Sequence, residues 1–190
     1  SWSNGAFTQN LNGLNTGSYS VTVTDINGCQ TVSSTTLIPV NSCADLFISE
    51  YVEGTGNNRA LEIYNPTSDT IDLSAYIIVR YSNGMTSATS QNTVQLIGSI
   101  APNDVHVGVI EKLNPAGTGQ NIPVDAALQV KADAFYCPDY NVSNAWYWNG
   151  NDAVVLAKGS INDITNAIIV DVFGRVGEDP SSGAWTADTL

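Results

Sequence analysis

Residues 45–66, Asp-Leu-Phe-Ile-Ser-Glu-Tyr-Val-Glu-Gly-Thr-Gly-Asn-Asn-Arg-Ala-Leu-Glu-Ile-Tyr-Asn-Pro, constrain the fold more than any other stretch of the chain. Residues 46–52 are rich in aromatic and β-branched side chains, which suit a pleated, half-buried surface. Residues 54–58 bring Gly and Asn, which accept the backbone of a turn. A second β run at 60–64 stops at Asn65-Pro66, because proline has no N–H with which to continue a ladder. The expectation is two strands joined by a glycine-rich crossing.

The same signals recur on both sides. Residues 19–25 alternate strictly, with Tyr19, Val21 and Val23 on one face and Ser20, Thr22 and Thr24 on the other. Asn27-Gly28 reads as a hairpin turn, and residues 30–37 as the returning strand. Leu14, Gly17 and Tyr19 have the spacing of a tyrosine corner, in which a Tyr hydroxyl ties down the chain. Residues 39–43 form a short linker stiffened by Pro39. Further strands are expected at 72–81, 93–100, 105–110, 127–130, 153–157 and 167–173. Residues 111–144 read as mostly loop, and no segment has the period of an amphipathic helix. Short strands divided by Gly, Pro and Asn turns argue for an all-β sandwich.

Charge narrows the choice of partners. Eighteen acidic residues against six basic ones give a formal charge of -12. That is the wrong sign for phosphate backbones or anionic lipid, and it favours divalent cations. Charged residues are only 13% of the 190, and Ser, Thr, Asn and Gly take their place, the profile of an extracellular β-protein. No apolar run reaches the roughly 20 residues that cross a bilayer, so no membrane insertion is expected. The chain starts at Ser1 without an initiator Met, as an excerpt of a longer polypeptide would. Cys29, Cys43 and Cys137 lack CxxC spacing and His106 is the sole histidine, too few for the usual zinc sets. A disulfide, if formed, joins Cys43 to Cys137 and leaves Cys29 free.

Two resemblances follow from longer motifs. Trp-Ser-Asn-Gly-Ala, then Leu-Asn-Gly-Leu-Asn-Thr-Gly-Ser-Tyr-Ser-Val-Thr-Val-Thr-Asp-Ile-Asn-Gly-Cys, within residues 1–38, resembles the C-terminal half of a SprB-type repeat, an Ig-like unit of large surface adhesins of gliding Bacteroidetes. Residues 44–190 resemble the lamin-tail domain of bacterial secreted proteins. The resemblance rests on Phe-Ile-Ser-Glu-Tyr-Val-Glu-Gly from residue 47, Ile-Asp-Leu-Ser-Ala-Tyr ending at Tyr76, Trp-Asn-Gly-Asn-Asp-Ala-Val-Val-Leu from Trp148, and Val-Asp-Val-Phe-Gly-Arg-Val-Gly from Val170. It implies an Ig-like β-sandwich over 44–190, preceded by a partial Ig-like β unit at 1–38. It also implies no established catalytic site, and frequent attachment to secreted nucleases, phosphodiesterases and adhesin-like chains.

Several residues could carry chemistry. Glu50, Glu53 and Glu62 surround the crossing and could converge on calcium, with Asp45, Asp69 and Asp72 adding charge nearby. The competing reading pairs Glu50 with Arg59 as a partly buried ion pair. Asn149-Gly-Asn-Asp152 resembles a cation loop, though Asn and Asp in turns more often bind their own backbone. Asp152 and Asp171 fall where the lamin-tail family carries acidic residues. Trp146, Tyr147 and Trp148, with Phe135, Tyr136 and Tyr140 upstream, form the densest aromatic cluster and could stack on sugars or anchor a protein. Alternation puts Trp146 and Trp148 on one side, as core residues would be. His106 has no Gly-x-Ser-x-Gly elbow to serve, and no glycine loop leads into a helix.

The sequence therefore points to a non-catalytic interaction or spacer module of a large secreted or cell-surface protein of Bacteroidetes type, without a cofactor unless calcium binds. Its expected partners are other extracellular protein domains or surface polymers, with no nucleic acid bound directly. An accessory domain of a secreted nuclease or phosphodiesterase and a carbohydrate-binding module are the alternatives.

Overall fold

Strand alternation, one side chain inward and the next outward, organises the computed structural model, which describes residues 1–15, 17–37, 45–180 and 183–185. The chain divides into two compact units, Ser1–Ser42 and Cys43–Leu190.

In the first unit β1 (Gly17–Thr24) and β2 (Gln30–Leu37) pair antiparallel, Thr24 opposite Gln30. The turn between them is held by Asp25, whose Oδ1 accepts the N–H groups of Asn27 and Cys29 at 2.9 and 2.8 Å, and Gly28 takes φ +86°. The Tyr19 hydroxyl donates to the Asn15 carbonyl at 2.8 Å, the tie that a tyrosine corner makes. None of the described residues of this unit is buried.

The second unit holds β3 (Phe47–Glu53), β4 (Arg59–Tyr64), β5 (Ile71–Asp72), β6 (Tyr76–Tyr81), β7 (Thr93–Gln95), β8 (Ser99–Ile100), β9 (Val105–Ile110), a one-turn helix α1 (Ala126–Gln129), β10 (Ala134–Tyr136), β11 (Ala153–Lys158) and β12 (Ile168–Phe173). One sheet runs β10-β9-β4-β3, with β10 parallel to β9 and the others antiparallel. The other runs β12-β11-β6-β7, antiparallel throughout, and β5 and β8 form a separate pair. Leu61, Ile63, Val109 and Tyr136 of the first sheet meet Tyr76, Ile78, Val154 and Leu156 of the second in one buried core. This is an all-β, Ig-like sandwich. At its edges Tyr51 of β3 stacks on Phe173 of β12, ring centroids 3.9 Å apart, and the Ile48 amide donates to Asp171 Oδ2 at 2.8 Å. The outer face of β6 and β11 is covered as well, where Ile77, Val79, Val155 and Ala157 form a second buried cluster.

Three expected strands differ. The run at 72–81 breaks because the Asp72 carboxylate accepts the Ser74 amide at 2.8 Å and caps a 3-10 turn over Leu73–Ala75. The run at 93–100 divides into β7 and β8 around Gly98, whose φ is +91°. Residues 127–130 coil into α1 instead, because the Leu128 and Gln129 amides both turn back to the Asp125 carbonyl. Inside the stretch read as loop, β10 adds a parallel edge strand.

Candidate functional site

Three charged side chains stand at inward positions of the alternation. Arg59 precedes Leu61 and Ile63 on β4, Arg80 follows Tyr76 and Ile78 on β6, and Asp152 precedes Val154 and Leu156 on β11. The two arginines therefore come from opposite sheets, and both border one cavity of about 450 Å³ at an end of the sandwich. Asp152 borders it too. Its wall is completed by the crossing at Gly56-Asn57, by Asn83 and Gln120, and by Tyr140 and Tyr147.

Asp152 is fully buried and Arg80 nearly so, 3.6 Å apart. The Asp152 carboxylate also accepts the Asn83 amide at 3.0 Å and the Asn149 amide at 3.1 Å. Burial pushes its carboxyl above the usual range, while the Asn149 amide, the Arg80 guanidinium and the Asn83 amide act in the opposite direction. Arg80 Nη1 donates to the Tyr147 carbonyl. Its Nε is buried without an acceptor. Arg59 Nε donates to the Trp148 carbonyl and its Nη1 to the Gly56 carbonyl at 2.7 Å. Asn57 Nδ2 reaches the carbonyls of Gln120 and Ile122 at 3.0 and 2.7 Å, which fixes the crossing against the 119–122 turn. Lys112, buried, sits 5.4 Å over the Tyr147 ring. Three of the six basic residues of an acidic chain thus gather around Tyr147. The Tyr147 phenol is pushed up to about 12 by burial first, then by Cys137 and Asp139, with Arg59 opposing.

The expected pair of Glu50 with Arg59 is not formed, for a local reason. A bulge between Ile48 and Glu50 inserts Ser49 as an extra residue, so Ile48 and Tyr51 both pack on the core while Glu50 turns outward, opposite Glu62. Arg59 answers backbone carbonyls instead, and the buried ion pair is Arg80 with Asp152. Two of the three glutamates are each engaged by a hydroxyl group. Glu62 accepts the Ser49 hydroxyl at 2.7 Å, Glu53 accepts the Tyr51 hydroxyl at 3.0 Å, and Glu50 is exposed. Among the described residues no three His, Cys, Asp or Glu side chains gather as a metal-holding group. Asp45, Asp69 and Asp72 border a different cavity of about 380 Å³, where Asp45 takes Lys158 at 3.7 Å and the Tyr76 hydroxyl.

The aromatic run divides by parity. Trp146 and Trp148 are fully buried, the first stacked on Tyr136 with centroids 4.5 Å apart, the second donating Nε1 to the Val52 carbonyl. Tyr147, between them, faces the cavity, with Tyr140 edge-on at 4.9 Å. In Asn149-Gly-Asn-Asp152 the Asp152 amide donates to the Asn149 carbonyl at 2.8 Å, so the loop binds its own backbone. Asp171 joins the sheet edges through Ile48. His106 is buried against the Tyr136 hydroxyl at 3.0 Å, and no nucleophile bonds to it among the described residues. Cys137 is a buried free thiol 3.3 Å from the Ser143 hydroxyl, and Cys43, its expected partner, lies outside the described residues. Sequence reading missed Arg80 as a site residue. The available signal was a charge standing on the buried parity of an otherwise apolar strand.

Two four-stranded sheets over a shared core, closed at one end by inward-facing charges, define an Ig-like β-sandwich domain. The family model described as Lamin Tail Domain matches residues 39–174, and the chain belongs to that family. No curated protein matches the chain.

Proposed function

We propose that the chain is a non-catalytic interaction module of a secreted or cell-surface protein of Bacteroidetes type, in which a SprB-like unit at 1–38 precedes the lamin-tail sandwich and the partners are extracellular domains or surface polymers. The observation that carries this reading is the cavity, a recess walled by arginines, amides and tyrosines in which the one carboxylate is tied to Arg80 and two backbone amides. Such a lining orients a ligand through a few polar groups. Catalysis needs a proton acceptor within reach of a reacting group. The groups here are committed to structure: Asp152 to its ion pair, His106 to Tyr136.

The test sets turnover against retention. The purified chain is offered a phosphodiester reporter and a panel of glycoside reporters, and its fluorescent form is applied to bacterial biofilm matrix. Retention without turnover is the expected outcome. Hydrolysis that disappears with Asp152→Asn while the melt stays cooperative would overturn the reading in favour of an enzyme.

A further inference from the structure

The two arginines that border the cavity keep part of their donor capacity unused. Arg80 spends Nη1 on Tyr147 and Asp152, and among the described residues its Nε and Nη2 have no acceptor. Arg59 spends Nε and Nη1 on backbone carbonyls, and its Nη2 is likewise unmatched. That leaves the Nη2 groups of the two arginines, from opposite sheets, as the donors open to the oxygens of a carboxylate. Arg80 is 6% exposed and packed at the end of a core strand, with its Nε enclosed by protein, so its guanidinium is held in place before any ligand arrives. Of the charged side chains that line the cavity itself, Arg59 and Arg80 are positive and Asp152 is negative, a balance of one positive charge, while Lys112 behind Tyr147 is engaged by Asn121 and the Pro138 carbonyl. That balance suits a monoanion. A dianionic phosphate would keep an uncompensated charge inside a chain whose formal charge is already -12.

The rest of the wall is not built for a bare ion. Tyr140 and Tyr147, an edge-to-face pair with Lys112 over the Tyr147 ring, border the cavity and offer aromatic carbons to the C–H groups of a sugar. Asn83, whose Oδ1 already accepts from Asn151, and Ser82, whose hydroxyl donates to Met85 Sδ, also line the cavity and keep the Asn83 Nδ2 donor and the Ser82 acceptor lone pairs for ring hydroxyls. We propose that this cavity binds a uronic acid residue of a surface polysaccharide, with the sugar carboxylate on the Nη2 groups of Arg80 and Arg59 and the ring against Tyr147. The proposal rests on the reading of the chain as a binding module and names its ligand.

The experiment uses the full chain, labelled with nitrogen-15, and follows its amide spectrum while sodium glucuronate is added. Glucose, sodium acetate, inorganic phosphate and acetyl-dialanine serve as parallel probes. Saturable shifts confined to the amides around Asn57, Asn83, Gln120 and Tyr147 are expected with glucuronate, in the millimolar range usual for a single sugar, and none with glucose. Arg59→Gln should weaken glucuronate binding by about tenfold through the lost charge-assisted bonds. Wild-type shift mapping decides the matter even if that variant fails to fold. Equal response to acetate or phosphate would overturn the sugar assignment in favour of a general anion site, and a preference for acetyl-dialanine would replace it with a peptide terminus. No response to glucuronate, with retention on biofilm matrix intact, would remove this ligand and leave the module reading standing. Loss of both would remove the two together.

Discussion

At the scale of single residues, position relative to the core decides what a charge is worth. Arg80 and Asp152 are a buried pair, so Asp152→Asn strands a guanidinium, at a cost of about 3 kcal/mol. Glu50 is exposed opposite another glutamate, and Glu50→Gln should change stability by less than about 0.5 kcal/mol. Denaturant melts of both variants check the contrast, and a cost for Glu50→Gln as large as that for Asp152→Asn would contradict it. His106 makes a second case. Burial lowers its pKa, with Asp133 opposing, so the folded protein holds it neutral while the unfolded chain protonates first on acidification. Its contribution is therefore present above the ordinary pKa of about 6.5 and is lost as pH falls through the depressed folded value. The melting temperature should decline over that window, and His106→Gln, which keeps a partner for the Tyr136 hydroxyl, should flatten the decline.

Among the elements, departures from regular strand geometry set the site as much as the strands do. The bulge in β3 sends Glu50 outward and leaves Arg59 to the carbonyls of Gly56 and Trp148. In β9 the absence of a side chain at Gly108 lets the Trp146 indole lie on the strand, where a Cβ would meet the ring at 2.6 Å and Tyr136 at 2.9 Å. Gly108→Ala should therefore destabilise by about 1 to 3 kcal/mol through overpacking. Because Trp146 directly precedes Tyr147, the same variant should displace the Tyr147 amide resonance. Full stability in Gly108→Ala would mean that the indole has room to move.

On the scale of the whole molecule the two units differ in what they bury. The core clusters lie within the second unit, whereas the first is a two-stranded sheet with no buried residue among those described, and such hairpins are marginal in water. Hydrogen exchange should separate them. Amides of β1 and β2 are expected to exchange through local opening, those of β4, β6, β9 and β11 only near global unfolding. Equal protection in the two units would show that the hairpin is covered in solution. Strand identity was legible in the sequence where side chains alternated, as in β1 and β9, or where a short apolar run was bounded by turn residues, as in β4 and β11, because both signals need only near neighbours. The family resemblance over 44–190 rested on the same local runs. The Asp72 cap, α1 and the parallel strand β10 were not legible, since each depends on a hydrogen bond or pairing that competes with local propensity. Of the site, the aromatic run and Asp152 stood out in the sequence while Arg80 did not, and Arg59 was given the wrong partner. The chain by itself determined an acidic all-β sandwich and much of its apolar interior, because alternation and turn chemistry are local. Only the tertiary structure decided that two arginines from opposite sheets meet at the neighbouring carbonyls of Tyr147 and Trp148, because that depends on the register between strands far apart in sequence and on one bulge that no nearest-neighbour pattern records.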